Sequence, residues 1–274
     1  MKKLCVIGDP ISHSKSPVIQ NAMIAALGLE YHYTAVRVGG EETAAWLDRA
    51  KAEGWAGFNA TMPHKERLVP LMDALDPLAE KCGAVNTVCL REGKSLGCNT
   101  DGGGFLNALH DLGVSPAGLG VLVLGSGGAA KAVSAALSSA GATVTVANRT
   151  VEKAERICQM DPARLTPAGF GIQELTRLAG ESGLLVNCTS LGMAGTNADF
   201  EDLSFLEALP QGAAVCDAIY APPETSLLRR AAELGHPTMN GLGMLLHQAI
   251  LALELFTGEK IDREKAKKAA LAVI

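Results

Sequence analysis

Leu119 to Leu137 reads LGVLVLGSGGAAKAVSAAL, and no other stretch constrains the chain as much. Val121 to Leu124 are consecutive apolar residues bounded by glycines, the pattern of a short buried strand. Gly125-Ser126-Gly127-Gly128-Ala129-Ala130 follows and opens a helix of small residues that stops near Gly141. A G-x-G-x-x-A run between strand and helix is a dinucleotide-binding fingerprint. The first glycine permits the tight turn, the second lets backbone approach a pyrophosphate, and the small residue at 130 lets helix pack closely on strand. The helix N-terminus offers N–H groups and a positive dipole end to phosphate oxygens.

A second strand, Ala142 to Ala147, ends in Asn148-Arg149-Thr150. That is about 20 residues past the fingerprint, where an acid would hold the ribose hydroxyls of NAD. No acid stands there. Arg149 instead suits a 2′-phosphate, which a guanidinium grips through planar, charge-assisted hydrogen bonds. The expected cofactor is NADP; the bland alternative is an ordinary βαβ unit with a surface arginine.

The 274 residues suffice for two domains and a sizeable core, and 48% hydrophobic content excludes a disordered chain. A net charge of −5 argues against nucleic acid or a membrane surface as partner. The opening MKKLCVIGDP has too short an apolar run for a signal peptide and reads as a first strand. The seven cysteines are scattered, with no C-x-x-C and no zinc spacing, so a reduced, cytoplasmic protein without a metal is expected.

In chain order, strands are expected at 3–8, Tyr31 to Val38, Gly57 to Thr61, Ala84 to Leu90 and Leu96 to Thr100. Ser16 is placed as N-cap of a helix that starts at Pro17 and runs to about Leu27. Further helices are expected over Glu41 to Glu53, Pro77 to Cys82 and Asp101 to His110. After Thr150 come a helix to about Gln159, buried strands at Gly183 to Cys188 and Ala213 to Cys216, and a helix at Glu224 to Leu234. A short strand near Thr238 and two final helices, from Gly241 and from Asp262, close the chain. The alternation predicts an α/β protein of two domains: residues 1–102 plus 243–274, and a Rossmann-type unit at 103–242.

Five polar stretches stand outside the packing pattern: Ser14/Ser16, Asn59/Thr61/Lys65, Asn86/Thr87, Asn99/Thr100/Asp101 and Asn240 to Gln248. Each follows a strand or begins a helix, where open α/β sheets bind ligands. Hydroxyls and amides both donate and accept, which suits a polyhydroxylated ligand. Taken singly, each also fits turn or capping chemistry. Lys65 and Asp101 form the reactive pair. Hydride transfer to a ketone leaves an oxyanion that needs a proton, and an ammonium beside a carboxylate supplies or holds it. A solvated lysine and a capping aspartate are the alternative.

These residues also carry a resemblance across nearly the whole chain. Ser14-Lys15-Ser16-Pro17 with Asn21, Asn59 to Lys65 (NATMPHK), Gly83 to Thr87 (GAVNT) and Asn99-Thr100-Asp101 with Gly104 resemble motifs of the shikimate dehydrogenase family. So do Gly125 to Ala130 with Asn148-Arg149-Thr150, Asn187 to Met193 (NCTSLGM), Asp217 to Tyr220 with Pro222 and Thr225, and Asn240-Gly241 through Met244 and Gln248. The resemblance implies an N-terminal α/β substrate domain, a Rossmann-type NADP-binding domain, and C-terminal helices returning to the first. It implies reduction of 3-dehydroshikimate to shikimate in aromatic amino acid biosynthesis, with Lys65 and Asp101 catalytic. Ser14, Ser16, Asn59, Thr61, Asn86, Tyr220 and Gln248 would hold the substrate. Gly125, Ser126, Gly127, Gly128, Ala129, Asn148, Arg149, Thr150, Thr189, Ala218 and Gly241 would hold NADP.

The chain departs from the family pattern at Gln20, where many members have His, and at Ala60, where Val is usual. Ala60 is expected to leave less volume beside Asn59 and Thr61 and so to relax the pocket. A quinate/shikimate dehydrogenase of broader specificity and a non-catalytic ligand-binding regulator are the alternative functions. The protein is expected to be a monomer or homodimer.

Overall fold

The computed structural model describes residues 1–12 and 14–274. The first apolar run forms strand β1 (Lys2–Gly8), buried from Leu4 onward. It is followed by α1 (Ser16–Leu27), β2 (Tyr31–Arg37), α2 (Thr43–Ala52), β3 (Gly57–Ala60), α3 (His64–Leu68), β4 (Ala74–Leu75) and α4 (Pro77–Cys82). Then come β5 (Thr87–Arg91), β6 (Lys94–Cys98) and α5 (Thr100–Asp111). Helix α2 buries Thr43, Trp46, Leu47 and Ala50, one stripe at helical spacing, into a core with Cys5, Ile7, Phe58 and Ala60.

Six strands make the first sheet in the order β2-β1-β3-β5-β6-β4. β1 runs parallel to β2 and β3, whereas β5 is antiparallel to both β3 and β6. The turn between β5 and β6 has Glu92 at φ 52° and Gly93 at φ 76°, as a two-residue hairpin of the I′ kind requires. This mixed order has one consequence for the site. The carboxyl ends of β1, β3 and β6 and the amino end of β5 all lie at the same end of the sheet.

The expected role of Ser16 as N-cap is not what forms. Lys15 takes the cap position, without a capping hydrogen bond from its own side chain. Ser16 is the first helical residue, and its N–H donates to Ser14 Oγ at 3.3 Å. Pro17 thus stands at the second helical position, still within the first turn, where the N–H it lacks would have had no partner in the helix.

The later chain supplies β7 (Gly120–Leu124), α6 (Gly128–Ser139), β8 (Thr143–Ala147), α7 (Val151–Cys158), β9 (Leu165–Ala168) and α8 (Ile172–Gly180). β10 (Leu184–Asn187), β11 (Ala214–Asp217), α9 (Ser226–Glu233) and β12 (Thr238–Met239) follow. The second sheet is all parallel, in the order β12-β11-β10-β7-β8-β9. Its core lies on both faces: Val121 and Val123 pack with Ala130, Val133, Leu137 and Ile157, while Leu122 and Leu124 pack with Leu175, Leu178, Phe205 and Leu227. Burial on both faces is why these strands read as unbroken apolar runs. The order reverses between β7 and β10, the switch point at which a doubly wound sheet opens its ligand crevice.

Two of these elements carry weak sequence signals. β9 contains Pro167, which lacks an N–H, and such a strand survives only at the sheet edge, where it sits. Helix α8 buries Leu175, Leu178 and Ala179, an amphipathic spacing short enough to be passed over.

Helices α10 (Leu242–Thr257) and α11 (Arg263–Leu271) end the chain. Two compact units result, one of Met1–Gly104 with Leu246–Ile274 and the other of Phe105–Leu245. α11 packs along α1, so the C-terminal helices return to the first domain. Among the described residues no helix is long and apolar enough to cross a membrane.

Close packing of α10 on the first sheet depends on Gly57. A Cβ there would run into the Val88 carbonyl oxygen and stand 2.7 Å from the Phe256 ring. Overpacking of this kind costs about 1–3 kcal/mol. Gly57→Ala is therefore expected to lower the thermal unfolding midpoint by several degrees, at about 2–4 °C per kcal/mol. An unchanged midpoint would show that Phe256 moves aside freely.

Candidate active site

Lys65 in α3 and Asp101 in the first turn of α5 meet at the shared end of the first sheet. Lys65 Nζ donates to Asp101 Oδ2 at 2.6 Å, and both side chains keep partial exposure, 27% and 16%. Each is anchored from behind. The Lys65 carbonyl accepts from Val85 N at 2.8 Å. Asn99 donates through Nδ2 to the Ala84 carbonyl at 2.9 Å, and its Oδ1 accepts from Asp101 N at 3.1 Å, capping α5.

A buried polar network lies beside the pair. Asn86 Oδ1 accepts from Thr100 N at 2.8 Å and from Thr87 Oγ1 at 2.9 Å, while its Nδ2 donates to Thr100 Oγ1 at 3.0 Å. Asn59 Nδ2 donates to Thr87 Oγ1 at 2.9 Å, and Thr100 Oγ1 lies 3.5 Å from Gln248 Oε1 of α10. Thr61 directly follows β3, half-buried Ser14 lies in the loop after β1, and half-buried Ser16 opens α1. Of the expected substrate residues, Tyr220 alone belongs to the second unit, where it follows β11 and is 37% exposed.

In the second unit the loop after β7 approaches the end of β10. Gly125 has φ 105°, and a Cβ there would come within 3.0 Å of Cys188 and Thr189, so only glycine fits the turn. Gly127 and Gly128 differ: neither has a positive φ, and a Cβ on either would meet nothing within 4 Å. Packing of the chain itself does not require glycine at 127 or 128, which leaves close approach by an outside group as the reason. No side chain among the described residues caps α6, and its first helical bond runs from Lys131 N to Gly127 O. The preceding N–H groups thus face outward, as a pyrophosphate would need. These residues fit the phosphates of a dinucleotide.

Thr189, Ala218 and Gly241 gather around a polar cluster whose inner members, Asn187 and Thr225, belong to the resembling motifs but were not expected to hold a ligand. Asn187 Oδ1 accepts from Thr189 N and Oγ1, and the Asn187 carbonyl accepts from Ala218 N. Gly241 N donates to the Ile219 carbonyl. Buried Asp217 accepts from Asn187 Nδ2, Ile219 N and Thr225 Oγ1. Burial still raises the Asp217 pKa above the usual carboxylate range, against those three donors. An Asn and an Asp closing two apolar strands were the available signal. Asn148 Nδ2 donates to the Thr150 carbonyl. Exposed Arg149 borders a pocket of about 500 Å³ walled by Phe170, Ile172 and Leu175, with Asp199, Glu201 and Asp202 at its other side.

Residues 6–88 match the shikimate dehydrogenase substrate binding domain, 110–194 the shikimate/quinate 5-dehydrogenase domain, and 241–271 the shikimate 5′-dehydrogenase C-terminal domain. The shikimate dehydrogenase (NADP(+)) of Geobacter sp. (strain M21) is 44% identical over 274 residues, covering 97% of this chain and 93% of that one. The chain belongs to the shikimate dehydrogenase family. Among solved structures, shikimate 5-dehydrogenase of Listeria monocytogenes, in complex with shikimate and NAD, superposes with a TM-score of 0.90 at 32% identity, covering 98% of this chain and 96% of that one. The Thermus thermophilus enzyme in complex with NADP(H) and shikimate gives 0.85 at 35% identity, with both chains fully covered.

Both departures from the family pattern have a structural account. Gln20 is buried in α1, and its Nε2 donates to the Ala249 carbonyl beside Gln248. Ala60 corrects the expectation made for it. It packs with Phe58, Trp46 and Ile7 in the core under α2, and alternation along β3 puts Asn59 on the other face. Its missing volume is lost from that core rather than from the substrate side. A pocket of about 950 Å³ in the first unit includes Asn99 and Thr100 but neither Lys65 nor Asp101. Several of its charged side chains are engaged: Asp73 with Lys51 and Ser95, Arg91 with the Leu255 carbonyl, Glu254 with Arg263.

His64, fully buried beside Lys65, holds the α3 loop. Nε2 is 2.9 Å from the Val38 carbonyl, which can only accept, so Nε2 carries the hydrogen of the neutral ring. Thr43 Oγ1 lies 2.8 Å from Nδ1 and 2.6 Å from the Gly40 carbonyl oxygen, and its one hydrogen serves one of these two acceptors at a time. Burial pushes the His64 pKa below the usual 6.5 and Arg67 adds to this, against the Val38 carbonyl and Asp9. The unfolded chain thus takes up a proton near 6.5 that the folded one refuses. The stability contributed by neutral His64 is present above that pH and is lost as pH falls below it. The wild-type unfolding midpoint is expected to drop between about pH 7 and about pH 5 with a steeper slope than that of His64→Gln. Equal slopes would rule out a neutral imidazole at this site.

Proposed function

We propose that this protein is an NADP-dependent shikimate dehydrogenase that reversibly reduces 3-dehydroshikimate to shikimate, a step toward chorismate and the aromatic amino acids. The observation that carries this is the Lys65–Asp101 contact at 2.6 Å, set at the end of a sheet whose polar groups are amides and hydroxyls. Residues 1–102 with 243–274 take the substrate and residues 103–242 the nucleotide. Ser14 and Ser16 take the substrate carboxylate. Asn59, Thr61, Asn86, Tyr220 and Gln248 take its hydroxyls, and Lys65 and Asp101 face the C3 oxygen. NADPH supplies the hydride when bound, held at Gly125, Ser126, Gly127, Gly128 and Ala129 through its phosphates and at Asn148, Arg149 and Thr150 through its ribose phosphate. Thr189, Ala218 and Gly241 complete the nucleotide contacts.

As negative charge develops on the C3 oxygen, the Lys65 ammonium donates a proton to it, and Asp101 orients the ammonium and balances its charge. In the reverse direction the same pair takes the proton from the hydroxyl. The retained ion pair weighs against a non-catalytic regulator, and the placement of Ala60 in the core removes the reason to expect a relaxed pocket. The enzyme works in the cytoplasm as a monomer or homodimer.

Reduction of NADP by purified protein tests the assignment, with shikimate and quinate supplied separately and NAD as the cofactor control. Turnover with shikimate and NADP far above the other pairs is expected; comparable quinate turnover would replace this reading with the broader one. Lys65→Ala is expected to lower kcat by about 10²–10⁴-fold with little change in KM, and wild-type turnover in that variant would remove Lys65 from the chemistry. Arg149→Ala is expected to raise the KM for NADP about tenfold or more, the worth of a charge-assisted hydrogen bond, and to leave that for NAD unchanged. Equal loss for both cofactors would detach Arg149 from the 2′-phosphate.

A further inference from the structure

Tyr33 lies on the edge strand β2, with its ring 1% exposed. Its phenol bonds Asn59 Oδ1 at 2.7 Å, and the direction of that bond is forced. Asn59 Nδ2 is 3.1 Å from the Asn86 carbonyl oxygen, which can only accept, so the nitrogen of the amide faces Asn86 and the oxygen faces Tyr33. An amide oxygen cannot donate, so the phenol O–H does. Burial raises the Tyr33 pKa well above the usual tyrosine range and keeps the hydrogen in place at neutral pH. The main chain of Tyr33 is clamped as well: its N–H donates to Asn21 Oδ1 at 3.0 Å and its carbonyl accepts from Asn21 Nδ2 at 2.8 Å.

Counting hydrogens along this network leaves a defined remainder. Both N–H groups of Asn59 are taken, by the Asn86 carbonyl and by Thr87 Oγ1, which leaves only a lone pair on Oδ1. Asn86 Oδ1 is filled by Thr100 N and Thr87 Oγ1, and one of its N–H groups goes to Thr100 Oγ1. Its second N–H has no partner among the described residues. This end of the site therefore presents one acceptor, from Asn59, and one donor, from Asn86. A hydroxyl group donates and accepts, and it matches that pair.

We propose that Tyr33 is a positioning residue for substrate: its phenol locks the Asn59 amide with the oxygen as acceptor and so sets the polarity with which the site meets a substrate hydroxyl. The inference rests on the shikimate reading above. It is tested by steady-state NADP reduction with the full-length wild type, Tyr33→Phe, Asn59→Ala and the double variant, with the unfolding midpoint of each measured alongside. Tyr33→Phe is expected to raise the KM for shikimate about tenfold, with kcat within about threefold and the KM for NADP unchanged. In the Asn59→Ala background the same change is expected to add nothing, because Tyr33 acts through Asn59. Additive effects, an unchanged shikimate KM, or parallel rises for both substrates would each overturn the proposal. Should Tyr33→Phe fail to fold, Asn21→Ala serves in its place: it releases the Tyr33 main chain, and an unchanged shikimate KM there overturns the proposal equally. A wild type inactive with shikimate would sink the functional reading instead. An active wild type with indifferent variants would sink only this inference.

Discussion

The first domain depends on burying Asn59, Asn86, Thr87 and Thr100 at one end of its sheet with most of their donors and acceptors paired among themselves. Each unpaired buried group would cost about 1–3 kcal/mol, a large share of the roughly 5–15 kcal/mol by which a domain is stable. The mixed strand order makes the pairing possible. β5 enters where β1, β3 and β6 leave, so loops from four strands converge and the amide of one residue answers the hydroxyl of another. Low local dielectric strengthens such bonds and penalises any rearrangement. The network is thereby held rigid, and its few unused hydrogen-bonding positions point to a defined place.

Lys65 and Asp101 are the outer members of this arrangement. Their ion pair is more sheltered than several surface pairs. Arg177–Glu181 and Arg229–Glu224 are largely exposed and are worth about 0–1 kcal/mol each. Lys65–Asp101 is half-sheltered and tethered through Val85 and Asn99. That shelter adds little to stability, because desolvation offsets much of the attraction. It does keep an ammonium and a carboxylate in contact with partial access to solvent, as the proposed proton transfer requires.

Glycines in the second domain separate fold from ligand. Gly125 is demanded by its own backbone and by the approach of Cys188, whereas Gly127 and Gly128 answer no contact in the chain. The small-residue face of α6, with Ala130 and Val133 against Val121 and Val123, brings the helix close to the strand. That closeness sets where the free N–H groups stand.

Much of this was legible in the sequence for local reasons. The fingerprint names its own strand, turn and helix, since each glycine has a geometric cause, and the doubly wound domain follows from it. The pairing of Lys65 with Asp101 was readable only as residue types in suggestive places; a separation of 36 positions became 2.6 Å because β3 and β6 end together. What the sequence concealed was decided by neighbours. Pro167 tells against a strand until the strand lies at an edge, Ser16 reads as a cap until the helix starts one residue earlier, and Ala60 looks like a pocket residue until the pleat turns it to the core. Tyr33 gave no signal as an aromatic in an alternating strand, and only its phenol against a buried amide shows otherwise. Local propensity and motif spacing are properties of the chain, so the sequence alone determined the family, the fold class and the cofactor. Which face a residue presents, and which way a hydrogen bond runs, depend on partners far along the chain, and those were decided only when the sheet assembled.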